Sequence, residues 1–402
     1  MLIFTWISIF LSAGAVLGLL VMLLGLMRVF AHAPILRALP IQLGKAPTMA
    51  ASPDTELTIV VPAYNEEINI TGCLARLFAS SPPCMSWKVL LVDDGSTDDT
   101  VKLAKQVAPA ATDRFALLTA GPRPQGERWV GKNWACARAM QQVNSDWVLF
   151  MDADVHLQPD TLQRALSQAI EEEADLLSLV PRITCGCLSE WMVQPIMACL
   201  LALGFPIKAA NDPHDATAFA AGPFMLFRRS TYQAIGGHRA VAGVVVEDLA
   251  LARRVKSSGF RLLYLLGLDA LQLRMYANFS ALWEGWSKNW FLGLDRSLIR
   301  ALSASAVVFW LFASPWLLFF SVAIGSILLP LDGQMLLTLP LSILAVALQF
   351  LLRVWTRWKF QVPLKNWWLM GAGGILIGLL GPTSVWRTLT GRGWTWKGRS
   401  LA

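Results

Sequence analysis

Asp146-Trp147-Val148-Leu149-Phe150-Met151-Asp152-Ala153-Asp154 is the stretch from which the rest of the chain is read. Five apolar residues in succession make a short run of the kind that forms a fully buried strand. Two carboxylates follow at spacing i, i+2, where the strand must end, and a turn just past that end can fan both onto one ion. Carboxylate oxygens are hard ligands, and Mg²⁺ or Mn²⁺ is commonly held by one or two of them plus the phosphates of a substrate. Taken alone, an Asp-x-Asp turn is more often a solvated turn. The flanking sequence decides between the two.

Outward from this strand, residues 57–180 alternate apolar runs with helical patterns. Leu57–Val61, Lys88–Val92, Phe115–Thr119 and Ala174–Val180 read as further strands. Glu66–Ala79, Asp98–Val107, Asn133–Val143 and Asp160–Ile170 read as helices between them. Such alternation predicts an α/β fold with a mainly parallel sheet covered on both faces. Ligands of such sheets bind past the carboxyl ends of the strands, the edge where Asp152 and Asp154 are expected.

Other segments reach the same edge. Val60-Val61-Pro62-Ala63-Tyr64-Asn65-Glu66-Glu67 closes the first strand, and Val92-Asp93-Asp94-Gly95-Ser96-Thr97-Asp98 closes the second. Asp93 or Asp94 suits a base N–H or a ribose hydroxyl. Gly95 permits the turn, and Ser96 to Asp98 can cap the next helix. In Trp129-Val130-Gly131-Lys132-Asn133-Trp134-Ala135, Lys132 stands at a helix start, an anion site suited to a uracil carbonyl edge or a phosphate. Each motif alone is a common surface pattern; the set in this order is far more specific. Farther on, Glu247-Asp248 opens the helical stretch Glu247–Ser258, where an acidic pair also satisfies the helix dipole.

These residues resemble the nucleotide-binding half of the family 2 glycosyltransferases, which have a GT-A fold: Pro62 to Glu66, Asp93-Asp94-Gly95-Ser96, Gly131-Lys132 and Asp152-Ala153-Asp154. The likeness continues through Ala221-Gly222-Pro223-Phe224, Gly236-Gly237-His238 and Glu247-Asp248, and into the tail Trp396-Lys397-Gly398-Arg399. The Trp129–Cys136 segment, Arg274-Met275-Tyr276 and Glu284-Gly285-Trp286-Ser287-Lys288 are similar to the membrane-bound subgroup that glycosylates carotenoids, and less closely to its hopanoid-associated relatives. The resemblance implies transfer of one sugar from a nucleotide sugar, expected to be UDP-linked, with inversion and with Mg²⁺ or Mn²⁺. It implies donor contacts from Pro62, Ala63, Tyr64, Glu66, Asp93, Asp94, Lys132, Asp152 and Ala153, and metal ligation by Asp152 and Asp154. It makes Asp248 the general base, with Glu247 orienting it or touching the acceptor. Gly222, Pro223, Gly237 and His238 would line the acceptor side, though His238 equally suits a residue that merely follows the Gly-Gly turn. Trp286 and Lys288 would cover the site or anchor the chain to a membrane. The polysaccharide synthases of the family carry Gln-x-x-Arg-Trp in this region; its absence here disfavours a processive polymerase.

The remainder is greasy. The chain has 402 residues, 55% of them hydrophobic and 15% charged, with a mean hydropathy of +0.50. That is too apolar for a soluble protein and too mixed for a pure membrane bundle. Leu2–Met27 carries no charge and reads as an uncleaved transmembrane anchor within 1–31, with Arg28, Arg37 and Lys45 marking its cytosolic side. Residues 32–56, with Pro34, Pro40, Pro47 and Pro53, read as a linker. The catalytic domain is expected at 55–270, with its donor half at 55–180 and its acceptor half at 181–270. Trp191–Ile207 reads as an interfacial helix, with a buried core helix as the alternative. An amphipathic, Trp-rich interfacial segment follows at 271–302, then membrane helices at 303–386 and a basic tail at 387–402. The basic loop Arg353–Lys365 is assigned to the cytosol, and the tail then conflicts with a full span at Trp367–Trp386. Its glycines and Pro382 favour a re-entrant or interfacial segment. The expected location is the plasma (inner) membrane with the catalytic domain in the cytosol. Six cysteines fall on that side and are read as reduced thiols. The net charge of +7 suits anionic lipids or a nucleotide donor, and no nucleic-acid-binding module accompanies it.

Overall fold

The computed structural model describes residues 2–39, 54–108, 113–328, 335–392 and 395–400. Most of the linker prolines and the loop at Asp332 lie outside them. The chain divides into an α/β unit, His32–Ile183 with Phe205–Arg274, and a helical unit, Met1–Ala31 with Thr184–Gly204 and Met275–Ala402.

In the α/β unit the strands are β1 (Glu56–Ala63), β2 (Ser86–Asp93), β3 (Phe115–Thr119), β4 (Trp147–Met151), β5 (Val155–Leu157), β6 (Leu176–Val180), β7 (Arg182–Ile183), β8 (Phe224–Arg228), β9 (Leu262–Leu266) and β10 (Leu271–Leu273). Among the described residues they form a seven-stranded sheet in the order β3-β2-β1-β4-β8-β6-β9 and a three-stranded sheet β5-β10-β7. β8 runs antiparallel to both β4 and β6; the other pairs of the large sheet are parallel. β1 connects outward to β2 and β3, whereas β4 lies on its other side, so the crevice between β1 and β4 is the switch point at which such sheets bind ligands. Every residue of β4 is buried. Phe150 packs its ring on Phe227, Tyr232 and His238, and burying such a side chain contributes about 1.5–3 kcal/mol.

Several expectations shift at element ends. The first helix runs Ile70–Phe78 rather than from Glu66, because residues 65–67 are bonded to the loop after β2 instead. The next runs Thr100–Val107, since Asp98 accepts from Thr100 in a turn. The third is Gly131–Ala139 followed by a 3₁₀ turn. Part of the expected linker is structured: Leu36 N–H donates to Leu266 O and Leu266 N–H to Pro34 O, both at 2.9 Å, which satisfies the open edge of β9. Residues 271–273, expected in the interfacial segment, are β10.

In the helical unit, helices Trp6–Phe30, Leu298–Gly325, Leu337–Phe360 and Trp367–Thr390 are, among the described residues, long and apolar enough to cross a membrane. Leu188–Gly204 belongs to this unit, and its face with Val193, Ile196 and Met197 is buried. Trp286 lies on the helix Phe279–Gly293 and donates from Nε1 to Gln194 Oε1 at 2.7 Å.

The glycine-rich stretch after Trp367 is a continuous helix, Met370–Thr390. Its glycines are contact points: Gly371 faces Trp316, Gly374 faces Phe312 and Ala313, Gly378 faces Phe309 and Gly381 faces Ser305. A Cβ on Gly374 would stand 2.7 Å from Ala313 N. Small residues let helix backbones approach this closely. The helix therefore runs antiparallel to 301–316 and starts part way along its neighbours, with Trp367 against Phe350 and Trp316. It ends where Arg387 donates to Ser287 and Thr395 Oγ1 to Glu284 Oε1, the end at which the helix from Leu298 begins.

Candidate active site

The loops after β1 and β2 are stitched together by side chains. Asn65 holds φ 52° and accepts Thr97 N–H on Oδ1 at 2.9 Å, while its own N–H donates to Ser96 Oγ at 3.0 Å. Glu66 N–H donates to Thr100 Oγ1 at 2.7 Å. Asp93 accepts the N–H groups of Gly95 and Ser96, so this buried carboxylate shapes the turn it stands in. Asp94 pairs with Arg123 at 2.8 Å. Arg123 was not expected as a site residue, and Asn65 was expected only as part of the segment Pro62–Glu66. Asn65 could have been flagged, since Asn tolerates the left-handed region; Arg123 has no local signal.

The centre of the site is Lys132. It opens the helix Gly131–Ala139, and its Nζ lies 2.6 Å from Asp152 Oδ1 and 2.8 Å from Glu247 Oε1. Burial works against its charge, but Asp152 and Glu247 together hold its pKa well above the usual lysine range. Burial raises Asp152 despite Lys132. In Glu247, burial is outweighed by Lys132, and the net direction is downward. Rather than standing free for a donor group, Lys132 ties the Asp-x-Asp turn after β4 to the first turn of the helix Glu247–Ser257.

Asp154 is left outside this bridge. Its Oδ1 is buried without a hydrogen-bond partner, and burial, then Asp152 and Glu66, pushes its pKa up to about 8. An unpaired buried carboxylate beside two others is a place that lacks positive charge, and a divalent cation supplies it. Asp152 and Asp154 therefore fit a Mg²⁺ or Mn²⁺ ion. Among the described residues no cluster of three or more His, Cys, Asp or Glu side chains could hold one; phosphate oxygens would complete the coordination.

Asp248 Oδ2 accepts Gly222 N–H at 3.0 Å and Oδ1 accepts Leu249 N–H at 2.8 Å. Burial, then Glu247, raises its pKa to about 6. Pro223 is at the same edge, its carbonyl accepting Asp152 N–H at 3.3 Å. Gly237 has φ +48°, and a Cβ there would run into the Tyr232 ring.

His238 is 1% exposed, with Nδ1 2.7 Å from Tyr232 Oη and its N–H donating to that oxygen at 2.9 Å. Burial lowers its pKa to about 3. It is a neutral core residue under Phe150, which answers the open question of the Gly-Gly-His stretch in favour of packing. Trp286 and Lys288 lie in the helical unit, where Trp286 is committed to Gln194.

Residues 58–236 match the family described as glycosyl transferase family 2; Glu247 and Asp248 lie beyond the matched residues. The 4,4'-diaponeurosporenoate glycosyltransferases of Staphylococcus aureus strains USA300 and MRSA252 are each 28% identical over 261 residues, 64% of this chain and 66% of their own length. The match thus spans just under two thirds of these relatives. A mannosyltransferase from Pyrobaculum calidifontis, solved in complex with GDP-Man and Mn²⁺, aligns with a TM-score of 0.50 at 17% identity, over 96% of this chain and 99% of that one. At that identity the likeness is one of fold. The switch-point carboxylates, the fold and the family match agree: residues 58–236 are similar to glycosyl transferase family 2, and the chain has a GT-A-like fold.

Proposed function

We propose that the chain moves a single sugar from a nucleotide sugar, UDP-linked, to a lipophilic alcohol or acid at a membrane surface, inverting the anomeric carbon. The observation that carries this reading is the Lys132 bridge, 2.6 Å to Asp152 and 2.8 Å to Glu247. It puts a metal-type carboxylate pair and a second, metal-free carboxylate pair around one cation, which is the separation of roles that inverting transfer needs. A divalent ion on Asp152 and Asp154 would offset the charge of the departing diphosphate. Pro62–Glu66, Asp93 and Asp94 would hold the donor nucleotide. Asp248 takes the acceptor proton. A pKa of about 6 leaves it ionised at neutral pH yet more basic than an ordinary carboxylate. Glu247, kept ionised by Lys132, fixes the helix turn that carries Asp248.

The acceptor we favour is a carotenoid. Its support is the substrate in the name of the Staphylococcus relatives and the apolar helices of this chain. Those helices would anchor the protein in the plasma membrane with the catalytic unit in the cytosol. The test is to express the full chain in cells that make 4,4'-diaponeurosporenoate and to follow pigments and lipids. Purified protein is assayed in parallel with UDP- and GDP-sugars and Mn²⁺ or Mg²⁺. A new glycosylated pigment is expected. Transfer only to a hopanoid, sphingolipid or polyprenyl phosphate would replace the acceptor, and no transfer from any donor would sink the reading.

A further inference from the structure

Asn133 is fully buried, and its side-chain amide is spent on one target. Nδ2 donates to Val241 O at 2.8 Å, Ala242 O at 3.1 Å and Val244 O at 2.8 Å. An amide NH₂ has two hydrogens, so one is shared between two acceptors. The flipped amide would set its oxygen against three carbonyls, so the acceptors fix its orientation. Oδ1 is then buried without a hydrogen-bond partner, a cost that calls for an explanation. Val130 N–H reinforces the contact by donating to Ala242 O at 2.8 Å. The target is a closed turn, with Val244 N–H donating to Val241 O at 2.8 Å, and it leads directly into Glu247 and Asp248. Lys132, the preceding residue, holds Glu247. Consecutive residues thus grip the two ends of the segment 241–247.

We infer that Asn133 is a positioning residue for the Glu247-Asp248 pair: its amide latches the 241–244 turn and so sets where Asp248 stands. No other side chain does this in the same space. Aspartate would turn a charge on three carbonyls, serine has one hydrogen, and glutamine is a methylene too long. The inference rests on the proposed role of Asp248 as base, whereas the latch itself can be tested without turnover.

The experiment uses the full chain in detergent. Asn133→Ala removes the latch. Val130→Pro leaves Asn133 in place and removes the backbone donor, at a φ of −76° that proline accepts, and so keeps the test open should the first variant misfold. Amide hydrogen exchange at 241–249 should accelerate in either variant while β1, β2 and β4 stay protected, and UDP or GDP binding with Mn²⁺ should be unchanged. Unchanged exchange at 241–249, or loss of nucleotide binding, overturns the latch. In cells making 4,4'-diaponeurosporenoate, Asn133→Ala should lower transfer about tenfold but add no further loss to Asp248→Asn, because both act through one carboxylate. Multiplicative losses overturn the positioning role. Asp248→Asn alone with normal transfer refutes the base assignment instead, which the exchange result does not depend on.

Discussion

Asp248 Oδ2 accepts the backbone N–H of Gly222 at 3.0 Å, and the two residues leave no room between them. A Cβ on residue 222 would stand 3.0 Å from that oxygen, tighter than ordinary van der Waals contact. Gly222→Ala should therefore push the carboxylate out of place and cost about 10²-fold in transfer rate, the order expected for misplacement of a reacting group by about 1 Å. Nucleotide affinity should be retained. The check is single-turnover transfer beside UDP or GDP titration; a full-rate variant would free Asp248 of this constraint.

Asp248→Asn keeps the size of the side chain and cannot take a proton. Loss of a general base costs about 10²–10⁴-fold, with donor binding intact. The pH profile carries the sign. The base must be ionised, so the rate should rise with pH through about 6, the pKa of Asp248. A wild-type rate that falls across this range, or a variant at normal rate, would move the base elsewhere, with Glu247 next.

Asp154 makes a prediction about stability. Its folded pKa is about 8, above the unfolded carboxylate value of about 3.9. The folded state then holds the proton more tightly. Its contribution to stability is fully present below about pH 4 and is lost as pH rises through about 8. Asp154→Asn, neutral throughout, should unfold at a higher temperature than wild type at pH 8 to 9 and alike at pH 4. Mn²⁺ should raise the wild-type midpoint at pH 8 and leave the variant unmoved. Equal Mn²⁺ stabilisation of both would remove Asp154 from the metal site.

The helix Met370–Thr390 starts beside Phe350 and Trp316 and finishes beside Ser287. The loop that precedes it and the tail that follows should therefore face one compartment. Cysteines introduced as Lys365→Cys and Lys397→Cys should both resist a membrane-impermeant thiol reagent in intact cells and both react in inverted vesicles. Labelling of the tail alone from outside would mean that the helix crosses completely.

The sequence by itself determined what is locally encoded. The run Trp147–Met151 reads as a buried strand, because it is too short for a helix and five consecutive apolar residues suit an element covered on both faces. Asp152 and Asp154 must then leave the sheet at its carboxyl edge. Strand ends at Pro62 and Asp93 were legible for the same reason, as was the presence of long apolar helices near the start of the chain and after residue 300. Tertiary structure decided the rest, because those relations join residues far apart in the chain. β8 enters antiparallel between β4 and β6, and so brings Gly222 to Asp248. Lys132 read as a donor contact from its place at a helix start; that Asp152 and Glu247 are its partners came only with folding. His238 read equally as an acceptor residue or as one that follows the Gly-Gly turn, and only folding enclosed it between the Tyr232 hydroxyl and Phe150. The glycines from 371 to 381 read as signs of a re-entrant or interfacial segment; packing shows what they do locally, since the lack of a side chain lets an unbroken helix fit against its neighbours. Periodicity fixes which face of an element is apolar, but only packing fixes what that face meets.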